Sequence, residues 1–264
     1  MTNKQESMKI GRLTGKRIAV IGAGSGIGAA TVERLCREGA RVVAADINLK
    51  GVEHVAAKLC SEELEVYPTY IDLAEQDSVL QAFAFVEDTL AGLDGVHINA
   101  ADLGVIMQDS DALNVDLAVF DRTLGVNLRG HLLCTRAALP LLETAGGGSI
   151  VYTSSGACDS GEPVRPSYAV SKSGLNALMR HVASAWGAKG ITANCVAPGF
   201  TLTPEMEASG QLSEELLQFM RAQIPGTRLG RPSDIAGVVA MLLSTDGNWI
   251  NGQVIHVNGG ALMH

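Results

Sequence analysis

The sequence lacks the features of several protein classes. It has no run of Lys or Arg, and 28 acidic against 20 basic residues give a net charge of −8, so it carries no electrostatic footprint for nucleic acid. Its five cysteines show no C-x-x-C spacing and its six histidines form no H-E-x-x-H motif, so no metal site is predicted. No stretch approaches the roughly 18 apolar residues that span a membrane. We expect neither nucleic acid nor a membrane as partner.

The amino-terminal composition and the cysteines both favour the cytoplasm. The first eleven residues carry Lys4, Glu6 and Lys9 in place of an apolar segment, so a secretion signal is not expected. Scattered, unpaired cysteines suit a reducing compartment. We therefore expect a cytoplasmic protein.

What the sequence does contain is alternation of short apolar runs with longer segments of helical pattern. The predicted strands are Arg17–Ile21, Arg41–Asp46, Glu65–Ile71, Gly95–Asn99, Ser149–Ser154, Ile191–Val196 and Gln253–Val257. The predicted helices are 27–38, 50–61, 75–91, 115–143, 166–187 and 232–244. Near-continuous β-branched strands indicate a parallel sheet that is buried on both faces. The pattern predicts an α/β fold, doubly wound, with a seven-stranded parallel sheet flanked by helices.

A chain of 264 residues with 47% hydrophobic residues can bury a full core without disulfide or metal. No repeat, linker or composition break divides it, so we predict one Rossmann-type domain over 1–264 with a polar lead-in at 1–14. Residues 199–227 interrupt the alternation, with a short amphipathic piece near 213–222. A long insertion after a strand is often a lid over a site; the alternative is a surface excursion.

A glycine pattern lies between the first predicted strand and the first predicted helix, from Gly22 through Gly26 to Gly28. Glycines there permit a tight turn, close approach of the backbone to a pyrophosphate, and close helix–strand packing. The helix N-terminus offers free N–H groups to the anion. With a strand before it and a helix after it, the pattern predicts a dinucleotide site.

Two acidic residues follow later strands. Asp46 lies at the end of the second predicted strand, where a carboxylate accepts hydrogen bonds from the ribose of NAD and repels the 2′-phosphate of NADP. No Arg or Lys lies in the glycine loop, so NAD is the expected cofactor. The alternative is that Asp46 caps the next helix. Asp72 could face the adenine amino group or serve as a helix N-cap.

Tyr168 and Lys172 are four residues apart on one predicted helix, so both side chains point to the same face. A nearby cation favours the phenolate, and we expect it to lower the pKa of Tyr168 towards neutrality. Ser155 lies thirteen residues before Tyr168, at the end of the fifth predicted strand. With a serine at that strand end, the tyrosine–lysine pair indicates a catalytic site more specifically than such a pair on a surface helix would.

Together these residues resemble the short-chain dehydrogenase/reductase family in its single-domain form, over 15–260. The resemblance rests on Gly22, Gly26, Gly28, Asn99-Ala100, Asn127, Ser155, Tyr168, Lys172, Pro198-Gly199 and Gly252-Gln253-Val254. It implies an NAD-dependent oxidoreductase that moves a hydride between nicotinamide and a secondary alcohol or ketone.

The resemblance also implies four catalytic roles. Tyr168 would be the general acid/base, and Lys172 would bind the nicotinamide ribose and lower the tyrosine pKa. Ser155 would hydrogen-bond the substrate oxygen, and Asn127 would hold a water that links Lys172 to solvent; alternatively, Asn127 simply breaks its helix. The expected cofactor contacts are Gly22, Ser25, Gly26, Ile27, Gly28, Asp46, Ile47, Asp72, Leu73, Asn99, Ala100, Ala101, Tyr168, Lys172, Pro198, Gly199, Thr201 and Thr203. Thr203 could instead be a turn residue before Pro204.

The sequence departs from the family pattern near the ends of the first and fourth strands. Ile21 stands where Thr is usual, and Ile98 stands where Asn is usual. We expect an apolar contact between them to replace a polar tie, which costs little when both partners change together. Ala101 replaces a glycine, and Cys158 stands where a small residue is frequent; Cys158 lines the pocket or is a buried bystander.

The substrate is expected to be hydrophobic or cyclic, because apolar side chains lie in the segments that would wall the pocket. They are Leu103, Val164, Phe200, Met206, Leu212 and Met220; the alternative is that several of them only pack the lid against the body. The resemblance implies self-association to a homotetramer, or a dimer, through the helices that carry Asn127 and Tyr168 and through the last strand. Two other functions stay open: a non-catalytic NAD-binding sensor or scaffold, and a 3-oxoacyl-thioester reductase-like enzyme.

Overall fold

The computed structural model describes residues 11–210 and 212–263, in which strands and helices alternate along the chain. The strands are β1 (Arg17–Ile21), β2 (Arg41–Asp46), β3 (Val66–Tyr70), β4 (Gly95–Ile98), β5 (Gly148–Thr153), β6 (Ile191–Pro198) and β7 (Val254–Val257). The helices are α1 (Gly26–Arg37), α2 (Leu49–Cys60), α3 (Gln76–Leu90), α4 (Leu117–Leu124), α5 (His131–Thr144), α6 (Ala157–Ser160), α7 (Pro166–Trp186), α8 (Pro204–Ser209), α9 (Glu214–Ala222) and α10 (Pro232–Leu243). The boundaries predicted for the strands differ by no more than two residues.

All seven strands pair in parallel in the order β3-β2-β1-β4-β5-β6-β7. The sequence order reverses between β1 and β4, and the crevice beyond the carboxyl ends of strands at such a point is where ligands bind in this architecture. The predicted doubly wound fold, with a seven-stranded parallel sheet in a single domain, is confirmed.

The sheet separates two cores. Residues of β1 alternate between them: Ala19 and Ile21 pack with α3, α5 and α7, whereas Ile18 and Val20 pack with α1, α2 and α10. All four side chains are fully buried. Because both faces of the strand are covered, its sequence is apolar throughout instead of alternating with polar residues.

The single helix predicted over 115–143 is wrong in its middle. The structure has α4 and α5 joined by a π-helical segment, Gly125–Gly130. Two glycines and Asn127 make this stretch a poor α-helix, and a Cβ added to Gly130 would lie 2.7 Å from the Leu73 Cβ. Insertions of this type in a helix are frequent at functional sites.

The expected apolar contact between strand ends is confirmed. Ile21 and Ile98 are register partners in the β1–β4 pairing. Both are fully buried and belong to the same core. The strand ends beside the crevice are therefore joined by packing on this face of the sheet.

The two segments that the sequence set apart are only partly described. Residues 1–10 of the predicted lead-in lie outside the described residues, and Leu13, near its end, is fully buried. In the 199–227 segment, α8 and α9 are short helices, and Thr201 forms an isolated parallel bridge with Gly230. The five cysteines, all of them described, form no disulfide.

Candidate active site

The carboxyl ends of β1, β4, β5 and β6 bring the expected site residues to one edge of the sheet. The glycine loop follows β1, Asn99 follows β4, Ser155 follows β5, and Gly199 follows β6. Parallel strands place these ends side by side because all of them run in one direction.

The glycine loop leaves no room for side chains at two of its positions. Gly22 has a φ of +85°, and a Cβ there would lie 2.5 Å from the Ala100 amide nitrogen. A Cβ on Gly28 would lie 1.7 Å from the Gly22 carbonyl oxygen. Glycine is therefore required for the turn at the first position and for close packing of α1 on the strand at the second.

The N-terminus of α1 is built to receive an anion. Ser25, at the N-cap, is extended and makes no side-chain cap, and the first turn holds no acidic residue. The Gly26 amide points to a carboxylate oxygen of Glu205, 3.4 Å away, from α8. The N–H groups of the first helical turn and the positive end of the helix dipole fit the pyrophosphate of a nicotinamide dinucleotide.

Asp46 lies directly beside this loop. One of its carboxylate oxygens accepts a hydrogen bond from the Gly24 amide at 2.8 Å, and the other accepts one from the Asn48 amide at 2.8 Å. The N-cap of α2 is Asn48, which accepts from the Gly51 amide. The alternative of Asp46 as the helix cap is therefore wrong. Ile47, the next residue, is exposed.

The next two candidates follow β3. Asp72 accepts a hydrogen bond from the Ala74 amide at 2.9 Å, whereas the N-cap of α3 is Glu75, so Asp72 is not the helix cap. Leu73 is buried, and its Cβ lies so close to Gly130 of the π-helical segment that a Cβ added there would be 2.7 Å away. The turn after β3 is thus packed on the segment that carries Asn127.

Thr203 and Thr201 lie on the other side of the glycine loop. Thr203 is the N-cap of α8 and accepts from the Met206 amide at 3.3 Å. A Cβ on Gly26 would lie 3.3 Å from its methyl group, so the cap also touches the loop. Thr201 donates its hydroxyl proton to the Gly199 carbonyl at 3.0 Å. The start of the 199–227 segment therefore adjoins the candidate cofactor site.

The structure brings Ser155, Tyr168 and Lys172 together. The Ser155 side chain lies near the Tyr168 phenol, where it favours the phenolate, and the Lys172 Nζ lies 5.8 Å from the centre of the tyrosine ring. The Ser155 Oγ also accepts from the Ala157 amide at 3.1 Å, which leaves its own proton free to be donated. Lys172 is almost completely buried and donates to the Thr153 carbonyl at 2.8 Å.

The expectation that Lys172 lowers the Tyr168 pKa is wrong for this chain by itself. Burial raises the pKa of Tyr168 above its ordinary value, and the Ser155 side chain opposes this increase only in part. Burial also lowers the pKa of Lys172 to about 8. A lysine with this pKa exchanges its proton near neutral pH, and a larger fraction of it is neutral there than of an ordinary lysine.

Asn127 is fully buried in the π-helical segment. Its Oδ1 accepts a hydrogen bond from the Asp102 amide at 2.8 Å, whereas its Nδ2 has no hydrogen-bond partner among the described residues. A buried amide N–H of this kind is usually satisfied by a bound water. The environment of the side chain therefore fits the water-holding role that the resemblance implies.

Sequence reasoning missed a polar chain behind the glycine loop. The His97 Nε2 and the Thr153 hydroxyl are 2.9 Å apart, and that hydroxyl donates to the Asn99 Oδ1 at 2.9 Å. Asn99 in turn donates from Nδ2 to the Gly22 carbonyl at 3.0 Å. Since the hydroxyl has one proton, His97 must be the donor to Thr153. The sequence signal that could have revealed this chain was the single histidine inside the apolar run of β4.

Asp109 is a second residue that sequence reasoning missed. It lies in the connection between β4 and α4, is buried, and accepts a hydrogen bond from the Tyr168 amide at 2.9 Å. Nothing in the surrounding sequence marks it, because it sits among other polar loop residues.

The chain is similar to known dehydrogenases and reductases. The family described as "Enoyl-(Acyl carrier protein) reductase" matches residues 22–262. A probable short-chain type dehydrogenase/reductase of Bradyrhizobium diazoefficiens is 38% identical, over 97% of this chain and 90% of the relative. A 7alpha-hydroxysteroid dehydrogenase of Bacteroides fragilis is 32% identical over 96% of each chain. The crystal structure of levodione reductase aligns with a TM-score of 0.87 at 30% identity, over 94% of this chain and 97% of that one.

The fold and the site define a nicotinamide-dependent oxidoreductase of the Rossmann type. The chain belongs to the short-chain dehydrogenase/reductase family. Among the described residues, no helix is both long enough and apolar enough to cross a membrane, and no group of three or more His, Cys, Asp or Glu side chains could hold a metal ion.

Proposed function

We propose that this protein is an NAD-dependent dehydrogenase that oxidises a secondary alcohol to a ketone, reversibly, with Tyr168 as the general acid/base. The observation that carries the proposal is the buried Lys172, whose Nζ lies 5.8 Å from the centre of the Tyr168 ring, with Ser155 beside the same phenol. A nicotinamide dinucleotide bound at the glycine loop would accept or donate the hydride.

The protein's own residues handle the proton. In the oxidising direction Tyr168, as phenolate, takes the hydroxyl proton of the alcohol, and Ser155 donates a hydrogen bond to the same oxygen as charge develops on it. The pKa of Lys172 is lowered to about 8. When Lys172 is protonated, its positive charge favours the phenolate form of Tyr168. Asn127 Nδ2 holds the water through which the proton reaches solvent.

NAD is proposed over NADP because of Asp46. Its carboxylate is fixed beside the glycine loop by the Gly24 amide, where it can accept from ribose hydroxyls and repels an added phosphate. We further propose that Ile27, Ile47, Asp72, Ala101 and Thr203 complete the cofactor contacts. The cytoplasm, where the NAD pool is mostly oxidised, remains the expected location.

The proposed substrate is an apolar cyclic alcohol. Two relatives are named for a steroid alcohol and for levodione, both of them ring compounds. Leu103 and Val164 are exposed apolar side chains of the flanking segments, and we propose that they and the 199–227 segment, acting as a lid, wall the pocket. The alternative of a 3-oxoacyl-thioester reductase-like enzyme is favoured by the family description, which names an acyl carrier protein.

We also propose self-association. Helices α4, α5 and α7 present an exposed groove that is lined mainly by leucines: Leu124, Leu128, Leu132 and Leu178. These are the helices that carry, or flank, Asn127 and Tyr168. An apolar groove of this kind is typical of an interface, and a homotetramer is the expected assembly.

The proposal is tested by assaying cyclic, aryl and acyl alcohols for NADH formation, with NADP in parallel. We expect Tyr168→Phe to lower kcat about 100-fold or more, the contribution of general acid/base catalysis, while NAD still binds. Tyr152→Phe is the matched control, because it removes a fully buried phenol that, among the described residues, hydrogen-bonds Thr135 alone, and it should leave kcat unchanged.

Each alternative has its own outcome in this assay. Preference for a 3-hydroxyacyl thioester would establish the reductase-like enzyme, and stronger activity with NADP would overturn the role given to Asp46. NAD binding without turnover of any alcohol by the wild-type protein would favour the sensor. Full activity of Tyr168→Phe would refute the proposed mechanism.

A further inference from the structure

The first turn of α7, the helix that carries Tyr168, has no cap of its own. Its N-cap residue, Arg165, has a φ of +66° and makes no side-chain cap hydrogen bond. The N–H groups of the first helical turn need acceptors from outside the helix. A side chain from a distant part of the sequence supplies them.

That side chain is Asp109, about 60 residues away in the connection between β4 and α4. Its Oδ1 accepts from the Ser167 hydroxyl at 2.7 Å and from the Ser167 amide at 3.3 Å. Its Oδ2 accepts from the Tyr168 amide at 2.9 Å. Asp109 is 4% exposed, and its carboxylate lies at the positive end of the α7 dipole.

A second contact holds the same two segments together. The Arg165 amide donates to the Ser110 carbonyl at 2.8 Å, directly next to Asp109. A left-handed backbone is unfavourable for arginine and persists only where the surroundings enforce it. The entry into α7 is therefore shaped by the 109–110 backbone and by the carboxylate, rather than by local preference.

The connection is also fixed at its other end. The Asp102 amide donates to the Asn127 Oδ1, and the Asp102 carboxylate pairs with Arg122 at 2.6 Å. The segment 102–109 thus hydrogen-bonds both the residue proposed to hold the relay water and the residue proposed to transfer the proton. Its two ends meet the two helices on which those residues lie.

We infer that Asp109 is a positioning residue for catalysis: its carboxylate fixes the backbone of Tyr168 so that the phenol meets Ser155. This inference rests on the proposed function, in which Tyr168 transfers the proton. Displacement of a reacting group by about 1 Å can reduce the rate about 100-fold. The Asp109 contacts act on the backbone of the reacting residue itself, so their loss translates directly into such a displacement.

The test compares variants by kcat, KM, NAD binding and melting temperature, using the alcohol that the wild-type protein oxidises fastest in the panel. Asp109→Ala removes all three hydrogen bonds and should lower kcat about 10- to 100-fold, with the Kd for NAD unchanged. Ser167→Ala leaves the bond to the Tyr168 amide and should reduce kcat less than twofold. Asp109→Asn, with a single acceptor oxygen, should fall between them.

Asp116→Ala is the matched control for a purely structural effect. Asp116 lies in the same connection and caps α4 through the Ala118 amide at 2.8 Å, and among the described residues no hydrogen bond joins its side chain to α7. It should lower the melting temperature as Asp109→Ala does and leave kcat near the wild-type value.

The possible results separate the two proposals. If Tyr168→Phe is inactive while Asp109→Ala matches Asp116→Ala in kcat, the positioning role is refuted and the proposed function stands. The positioning role would also be refuted if the Asn and Ala variants of Asp109 both kept the wild-type kcat. If Tyr168→Phe keeps full activity, the proposed function itself fails.

Discussion

Two buried histidines flank the polar groups behind the site. His97 donates to Thr153, and His131 stacks on Tyr152 with ring centres 6.5 Å apart. Burial and, to a smaller extent, the charge of Lys172 lower the pKa of each histidine to about 3. Both rings are therefore neutral in the folded protein at any pH at which it is assayed, and neither competes with Lys172 for the role of the buried cation.

These pKa values predict how stability depends on pH. In the unfolded chain each histidine has its ordinary pKa of about 6.5, so it binds a proton below pH 6.5, whereas the folded protein keeps the ring neutral down to about pH 3. The full contribution to the free energy of unfolding is therefore present above pH 6.5 and is lost as the pH falls towards 3. Each histidine should contribute a loss of about 1.4 kcal/mol per pH unit in that window. Urea unfolding at pH 7, 6 and 5 measures the slope.

Variants identify the source of this slope. His97→Gln, which keeps an amide donor for Thr153, should reduce the slope between pH 6.5 and 5 by about half, because His131 still contributes its share. The exposed His54 gives a matched control in His54→Gln, which should leave the slope unchanged. A slope that stays the same in both variants would contradict the assignment to His97.

At the scale of elements, the joined ends of β1 and β4 decide how the glycine loop meets Asn99. On one face the join is apolar, through Ile21 and Ile98. On the other face it is polar, through the chain that runs from His97 to the Gly22 carbonyl. The face with Ile21 and Ile98 has an apolar contact in place of the polar one that is usual in the family. The opposite face still joins the two strand ends by hydrogen bonds.

A double-mutant cycle tests the apolar join. Ile98→Asn alone buries an unpaired amide and should lower the free energy of unfolding by about 2–5 kcal/mol. Adding Ile21→Thr supplies a hydroxyl partner and should recover about 1 kcal/mol as coupling. Ile18→Thr, in the opposite core, is the control and should show no coupling with Ile98→Asn. Strict additivity of the Ile21 and Ile98 changes would refute direct contact.

At the scale of the whole molecule, the leucine-lined groove on α4, α5 and α7 predicts the response of the assembly to mutation. Leu132 is 43% exposed in the groove. Leu132→Asp buries a charge if the groove is an interface, and should dissociate the assembly to smaller species in light scattering. Leu80→Asp on α3, also exposed, is the matched control and should leave the mass unchanged. A wild-type monomer at working concentration would refute self-association.

The order of elements and the nature of the site were predictable from the sequence, because both depend on local signals. Apolar runs marked the strands, and the spacing of glycines marked the turn that receives a pyrophosphate. The sequence indicated where the three side chains would lie, because one stands at a strand end and the other two are one helical turn apart: Ser155, Tyr168 and Lys172. No knowledge of distant packing was needed to expect them close together. The helix interruption at Gly125–Gly130 was the main local error, since an apolar stripe continues through it.

What only the tertiary structure decided depends on contacts between residues far apart in sequence. Burial, which no local pattern measures, raises the Tyr168 pKa instead of letting Lys172 lower it, and brings the lysine itself to about 8. Asp109 reaches the Tyr168 amide across 59 residues, and His97 reaches the Gly22 carbonyl through Thr153 of β5 and through Asn99. Residue types and spacing determine which chemistry is present, but desolvation and long-range hydrogen bonds exist only once the sheet has brought those residues together.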